Sequence, residues 1–196
     1  MKLWIHVYLL VETLKKKISS ILQNNMSQWV VLKELRKHVR VCKMQHYCEI
    51  PTPKGTLRGF FHKPNQDKHP VCLIFHGFTG QKTGTKFSYV QLSRMLEAKG
   101  IASFRFDFLG SGESDGNFVD MTFQDELSCA RVILEECLKM ENCTEIYVLG
   151  HSMGGAIASE LAKLYPNVIK KMVLWAPAFN LPEALHYLTG QAVSYT

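Results

Sequence analysis

From residue 44 onward, short apolar runs alternate with longer stretches in which apolar residues return every three or four positions. The first rhythm belongs to strands and the second to helices packed on one face. Strands are predicted at 46–50 and 57–62, either side of a turn at 51–55, and at 71–75, 101–106, 145–149 and 171–176, with a polar loop at 65–70. The run Val71-Cys72-Leu73-Ile74-Phe75 has no polar position, as a strand buried on both faces requires. Helices are predicted at 89–99, closed by Gly100, from a cap at Thr122 to about 140, and at 153–164. Gln124, Asp125 and Glu126 fall in the first turn of the second helix, where negative charge complements the dipole. Strands alternating with helices of this length describe an α/β domain, a mostly parallel sheet flanked by helices on both faces. No internal repeat interrupts it.

With 196 residues, 46% of them apolar, the chain can build one domain with a sizeable core. Its net charge of +6 is unevenly spread: residues 1–43 carry 9 Lys and Arg against 2 acidic residues, and the rest carries 14 against 15. The basicity therefore belongs to an N-terminal extension, 1–43, and the body exerts no general pull on nucleic acid. The apolar run from Leu3 to Val11 is too short to span a bilayer and lacks a small-residue cleavage site after it. Val7, Val11, Leu14, Ile18 and Ile21 keep a helical period, which suits a helix lying on a membrane surface or joining two copies. The reading preferred is an extension upstream of the domain, with Met26 or Met44 as the natural start. No stable membrane insertion is expected.

Six cysteines, at 42, 48, 72, 129, 137 and 143, show neither Cys-x-x-Cys spacing nor a Cys/His cluster, so no metal site is expected. Those inside apolar patterns read as reduced thiols, which points to a cytoplasmic location.

Three segments carry chemistry. Gly150-His151-Ser152-Met153-Gly154 fits G-x-S-x-G between a predicted strand and a predicted helix, the setting in which a serine is raised above a sheet on a strained turn. Small neighbours are needed there because side chains would strike nearby backbone. His76-Gly77-Phe78-Thr79-Gly80 follows the buried strand and can offer a main-chain N–H to a developing oxyanion, from Phe78, with Met153 as the second donor. His76 reads as a brace for that loop rather than a base, because in this architecture the base comes from the other side of the nucleophile. Finally, the turn 107–116 has glycines at 110, 112 and 116, out of register for a dinucleotide fingerprint. Asp107 reads as a loop-fixing carboxylate in preference to a catalytic acid.

Together these segments, with Leu174-Trp175-Ala176-Pro177-Ala178, resemble the α/β-hydrolase superfamily, and more narrowly its cinnamoyl/feruloyl esterase and serine aminopeptidase-like branch. The resemblance implies Ser152 as nucleophile, the Phe78 and Met153 amides as oxyanion hole, and His76, Gly77, Gly80, Gly150, His151 and Gly154 as supporting loop and elbow. It implies a carboxylic ester hydrolase working through an acyl-enzyme on a small-molecule ester, of hydroxycinnamoyl type in the narrower branch, without metal or organic cofactor. It also divides the chain: residues 44–179 match the N-terminal part of the hydrolase core and 180–196 the start of a cap insertion.

In that family the acid and the histidine follow the serine. After Ser152 this sequence has no aspartate, a single histidine, His186, in the cap-like stretch, and the glutamates Glu160 and Glu183. No triad Asp or His is identified. The expectation is a truncated fold, incomplete after about the sixth strand and impaired in catalysis because serine needs a base. Its open sheet edge would pair with another copy or aggregate. Two other readings stand beside the esterase: a peptidase, thioesterase or lipase of the same fold, and a non-catalytic binding module that keeps the pocket.

Overall fold

A computed structural model of the chain describes residues 45–180. The expectations for the 1–43 extension and for the cap-like stretch, His186 and Glu183 included, lie outside the described residues. Six strands form one sheet in the order β1-β2-β4-β3-β5-β6: β1 Gln45–Thr52, β2 Gly55–His62, β3 His69–Phe75, β4 Ala102–Phe106, β5 Cys143–His151 and β6 Ile169–Trp175. The opening pair β1–β2 and the β2–β4 pair are antiparallel, and the other three pairings are parallel. Three helices connect the parallel strands: α1 Ser88–Ala98, α2 Phe123–Leu138 and α3 Met153–Leu164. The expected α/β class is present, as is every strand and helix predicted within the described residues.

Alternation along β3 explains the two faces. Val71, Leu73 and Phe75 pack in one buried cluster with Ala130, Ile133 and Leu134 of α2 and Ile157, Ala158 and Leu161 of α3. Cys72 and Ile74 point the other way, into a smaller cluster with Tyr89, Leu92 and Leu96 of α1. A strand clad on both sides must be apolar at every position, which is why the period-two signal vanishes there.

The boundaries differ from the sequence reading in instructive ways. The β1–β2 turn is tighter than 51–55: Thr52 pairs with Gly55, and Pro51 lies within β1, whose outer edge position tolerates a missing N–H. β3 begins at His69, inside the stretch read as loop. β5 is longer at both ends and runs to the residue before Ser152. β6 ends at Trp175, because Ala176 turns out of the strand with φ 45°. β6 is the outermost described strand on its side, and Met172, Val173 and Trp175 are exposed.

The start of α2 corrects one expectation. Thr122 accepts a hydrogen bond from the Asp125 amide at 3.2 Å, and the Asp125 carboxylate in turn accepts from the Thr122 amide at 3.2 Å, a reciprocal capping box. Asp125 therefore serves the helix terminus and also pairs with Lys54 at 2.6 Å. Glu126, by contrast, is buried and takes no part in the cap. Thr122→Ala should lower stability in urea unfolding by about 1 kcal/mol through loss of the cap.

Candidate active site

Helices leave β3 and β5 toward opposite sides of the sheet, so their C-terminal ends open a crevice at a topological switch point. Ser152 stands there, between the last residue of β5 and the first of α3, with φ 54° and ψ −123°. A non-glycine residue with positive φ is strained and persists only where its surroundings hold it. The holding is visible: the Ser152 amide donates to Trp175 O at 3.0 Å, and the Ser152 carbonyl accepts from Gly155 at 2.9 Å and from Ala178 at 3.0 Å.

The glycines around this turn are there for lack of room. A Cβ on Gly150 would stand 2.0 Å from Gly154 O, and one on Gly154 would stand 2.4 Å from the carbonyls of Phe75 and His76. The 77–80 loop approaches just as closely, since a Cβ on Gly77 would lie 2.8 Å from Ser152 Cβ and 3.4 Å from its hydroxyl. The loop after β3 and the serine turn are thus in contact through bare backbone. Among the described residues, the amides of Phe78 and Met153 have no hydrogen-bond acceptor, and no side chain hydrogen-bonds the Ser152 hydroxyl.

His76 is a brace in this geometry. It is buried; its Nε2 accepts from the Phe108 amide at 3.1 Å, which leaves Nδ1 to donate to Gly77 O at 2.9 Å. Burial lowers its pKa, so the ring stays neutral while joining the β3 loop to the β4 loop. His151 is half-buried, with its ring 5.0 Å from that of Trp175.

Two residues do more here than the sequence suggested. Asp107, at the end of β4, is fully buried and accepts from the Lys82 amide at 2.6 Å, the Glu113 amide at 2.9 Å and the Lys82 ammonium. Lys82 also reaches Glu113 at 2.6 Å, and its carbonyl accepts from Arg105 at 3.3 Å. Gly112 is the residue that lets the turn close on the carboxylate, because a Cβ there would meet Asp107 Oδ2 at 2.1 Å. Asp107 is thereby the loop-fixing group anticipated. Its partner Lys82 went unnoticed, since a lysine in a Gly/Thr-rich loop looks solvated. Below the pair, buried Arg105 donates to His62 Nε2 at 3.0 Å. Burial, then the Arg105 charge, pushes His62 down to about 4 and keeps it a neutral acceptor.

One cavity opens on Ser152 and a second lies beside Met153. The first, about 350 Å³, is lined by Ser152, His151, Tyr89 and the loop from Gly77 to Thr85. The second, about 210 Å³, is apolar, with Phe78, Phe118, Met121, Phe123 and Met153 in its wall, and Glu126 also lines it. Glu126 is only 3% exposed and Oε2 has no hydrogen-bond partner among the described residues. Desolvation raises its pKa from 4.5 to about 8. Its position on the buried stripe with Ala130 and Ile133 is the one sequence signal for this burial. Among the described residues no group of three or more His, Cys, Asp or Glu could hold a metal ion, and no helix is long and apolar enough to cross a membrane.

The profile of the family described as serine aminopeptidase, S33 matches residues 66–194. Human monoglyceride lipase is 32% identical over 120 residues, 60% of this chain and 38% of its own length. A putative esterase/lipase 2 of Mycoplasma pneumoniae is 31% identical over 121 residues, 60% of this chain and 41% of its own. Among solved structures, Est1E from Butyrivibrio proteoclasticus with ferulic acid bound is 30% identical with TM-score 0.68, covering 75% of this chain and 60% of Est1E. The chain thus spans well under half the length of these two curated relatives.

Two outcomes follow from the charges described. Asp107→Ala removes the buried acceptor of the Lys82 amide, the Glu113 amide and the Lys82 ammonium, leaving the ammonium only the exposed Glu113 carboxylate, and should cost about 1–3 kcal/mol. Lys82→Met should also destabilise, and the double variant should cost less than the two single changes together, read from urea midpoints in a double-mutant cycle. For Glu126, the folded chain holds the proton up to about pH 8 whereas the unfolded chain releases it near 4.5. Its burial is therefore least costly below the lower value, and stability falls as pH rises between the two. The stabilising effect of Glu126→Gln should accordingly be larger at pH 8 than at pH 5.

Proposed function

Because the chain belongs to the serine aminopeptidase S33 family of α/β-hydrolases, we propose that it carries the nucleophile and oxyanion machinery of a carboxylic ester hydrolase. Ser152 is the nucleophile in this reading. Its hydroxyl attacks the ester carbonyl, the carbonyl oxygen takes up negative charge, and collapse of the tetrahedral adduct expels the alcohol and leaves an acyl-enzyme. The amides of Phe78 and Met153 receive the oxyanion, and the N-terminus of α3 adds the positive end of its dipole at the same place.

What supports the proposal is a serine held at positive φ at the start of α3, together with two main-chain amides, of Phe78 in the cavity lining that Ser152 shares and of Met153 next in sequence, that have no acceptor among the described residues. The first amides of a helix have no intrahelical acceptor, and Met153 is the first residue of α3. Leaving two unpaired beside one hydroxyl is what an anionic transition state would require. Ester chemistry is preferred to peptide chemistry because the similar proteins named above are lipases and esterases, and because ferulic acid, the ligand of Est1E, is the acid half of such an ester. An aromatic or lipid acyl group suits the apolar wall of the second cavity.

Attack also needs a base to take the serine proton, and no described imidazole or carboxylate contacts the hydroxyl. The test therefore supplies one. Incubated with a fluorophosphonate probe, the chain should be labelled at Ser152, faster when imidazole is added, and Ser152→Ala should remain unlabelled. Absence of labelling with and without imidazole, in protein that unfolds cooperatively, would leave only a binding module. Hydrolysis of aminoacyl amides in preference to aryl esters and monoacylglycerols would overturn the ester assignment.

A further inference from the structure

Phe78 and Met153, the two residues whose amides are proposed above to receive the oxyanion, also line the second cavity. A carbonyl held by those amides therefore has one substituent directed at this cavity, a step that rests on the oxyanion reading above. The volume of about 210 Å³ is small for a ligand site, below the roughly 300 Å³ at which drug-sized pockets begin, and suits a single ring or short chain. Its walls are mostly apolar: Phe78 and Phe118 meet at 5.1 Å between ring centroids, Val119, Met121, Phe123 and Met153 add to the surface, and Thr122, whose hydroxyl is engaged in the helix cap with Asp125, is the one other polar residue beside Glu126.

Glu126 is out of place in such a lining. A carboxyl this deeply buried normally has a hydrogen-bond partner, since an unsatisfied one costs folding free energy. The helix terminus does not use it, because Asp125 makes the cap. No described salt bridge includes it. One oxygen, Oε2, is shielded from solvent and unpaired. A polar group stranded beside a mostly apolar space that fits one ring or short chain, next to the groups that would hold a substrate carbonyl, is the arrangement by which sites discriminate a substrate that brings the missing partner from one that does not.

We propose that the second cavity receives a compact apolar substituent of the ester that ends in a hydroxyl, and that Glu126 is the residue that selects the hydroxyl. An uncharged carboxyl donates through O–H and accepts through C=O, and a hydroxyl does both in return. The high pKa of Glu126 agrees with an uncharged carboxyl at neutral pH. An ammonium group would have to shed its water among aromatic and thioether walls, and a carboxylate would face an acid already short of donors. The hydroxyl satisfies the site without burying a charge.

The experiment uses the full chain with carbon-13-labelled methionine methyl groups and two isosteric probes, 4-ethylphenol and 4-ethyltoluene. The phenol should shift the Met121 and Met153 methyl resonances and bind about five-fold more tightly than the toluene, as one neutral hydrogen bond allows. Glu126→Leu should erase that preference, while Glu126→Gln, whose amide also donates and accepts, should keep it. Equal affinity of the two probes for the unmodified protein overturns the proposal without any variant. So do shifts confined to other methionines, or tighter binding of 4-methylbenzylamine, which would mark a cation site. The readout is independent of acylation: a preference that persists while Ser152 resists labelling removes the hydrolase reading alone, and labelled Ser152 without the preference removes the subsite alone.

Discussion

Two loops without regular secondary structure frame Ser152, and one buried carboxylate holds both. Asp107 binds the main chain and the ammonium of Lys82 in the loop after β3, and the Glu113 amide in the loop after β4. Isolated buried ion pairs add little net stability, because desolvation offsets the attraction. What this pair supplies is geometry. With Lys82 fixed at its amide, carbonyl and side chain, the segment from Gly77 to Lys82 has little freedom left, and Phe78 lies within it. His76 adds a second tie between the same loops, from Nε2 to Phe108. The loop that carries Phe78 is thus tied down by groups that make no hydrogen bond to Ser152.

The turn after β4 shows how a motif that looks catalytic can be architectural. Ser114 accepts from the Arg58 amide at 2.8 Å and donates to Asp107 O at 2.7 Å, and Asp115 accepts from the Thr56 amide at 2.9 Å. Those bonds carry the turn along β2 as though the strand pairing continued. The glycine at 112 admits the carboxylate it encloses. Asp107, Ser114 and Asp115 are each accounted for by holding the loop.

Most of the architecture was legible from patterning, because strands clad on both faces and amphipathic helices leave opposite signatures in sequence. The Ser152 turn was legible too, since only glycine fits where backbones meet at the distances around Gly150 and Gly154. Lys82 and Glu126 were not. Burial of a charged side chain depends on partners, or on their absence, far away in sequence: Asp107 lies 25 positions from Lys82, and the cavity beside Glu126 is walled by residues from three separate segments. Local pattern carries no record of either. Met172, Val173 and Trp175 of β6 are exposed at the outer margin of the described sheet, the side on which the sequence reading expected an open edge.

That outer strand bears on the chemistry through a short mechanical route. The carbonyl of Trp175, its last residue, anchors the Ser152 amide, and the amide of Ala178, just beyond it, anchors the Ser152 carbonyl. A strained backbone stays bent only while its clamps are rigid, and these two clamps belong to the part of the sheet with the fewest described neighbours. Fraying at that margin would slacken the serine before it disturbed the core, so hydrogen exchange at Ser152 would report the integrity of a strand that the serine's own side chain never contacts.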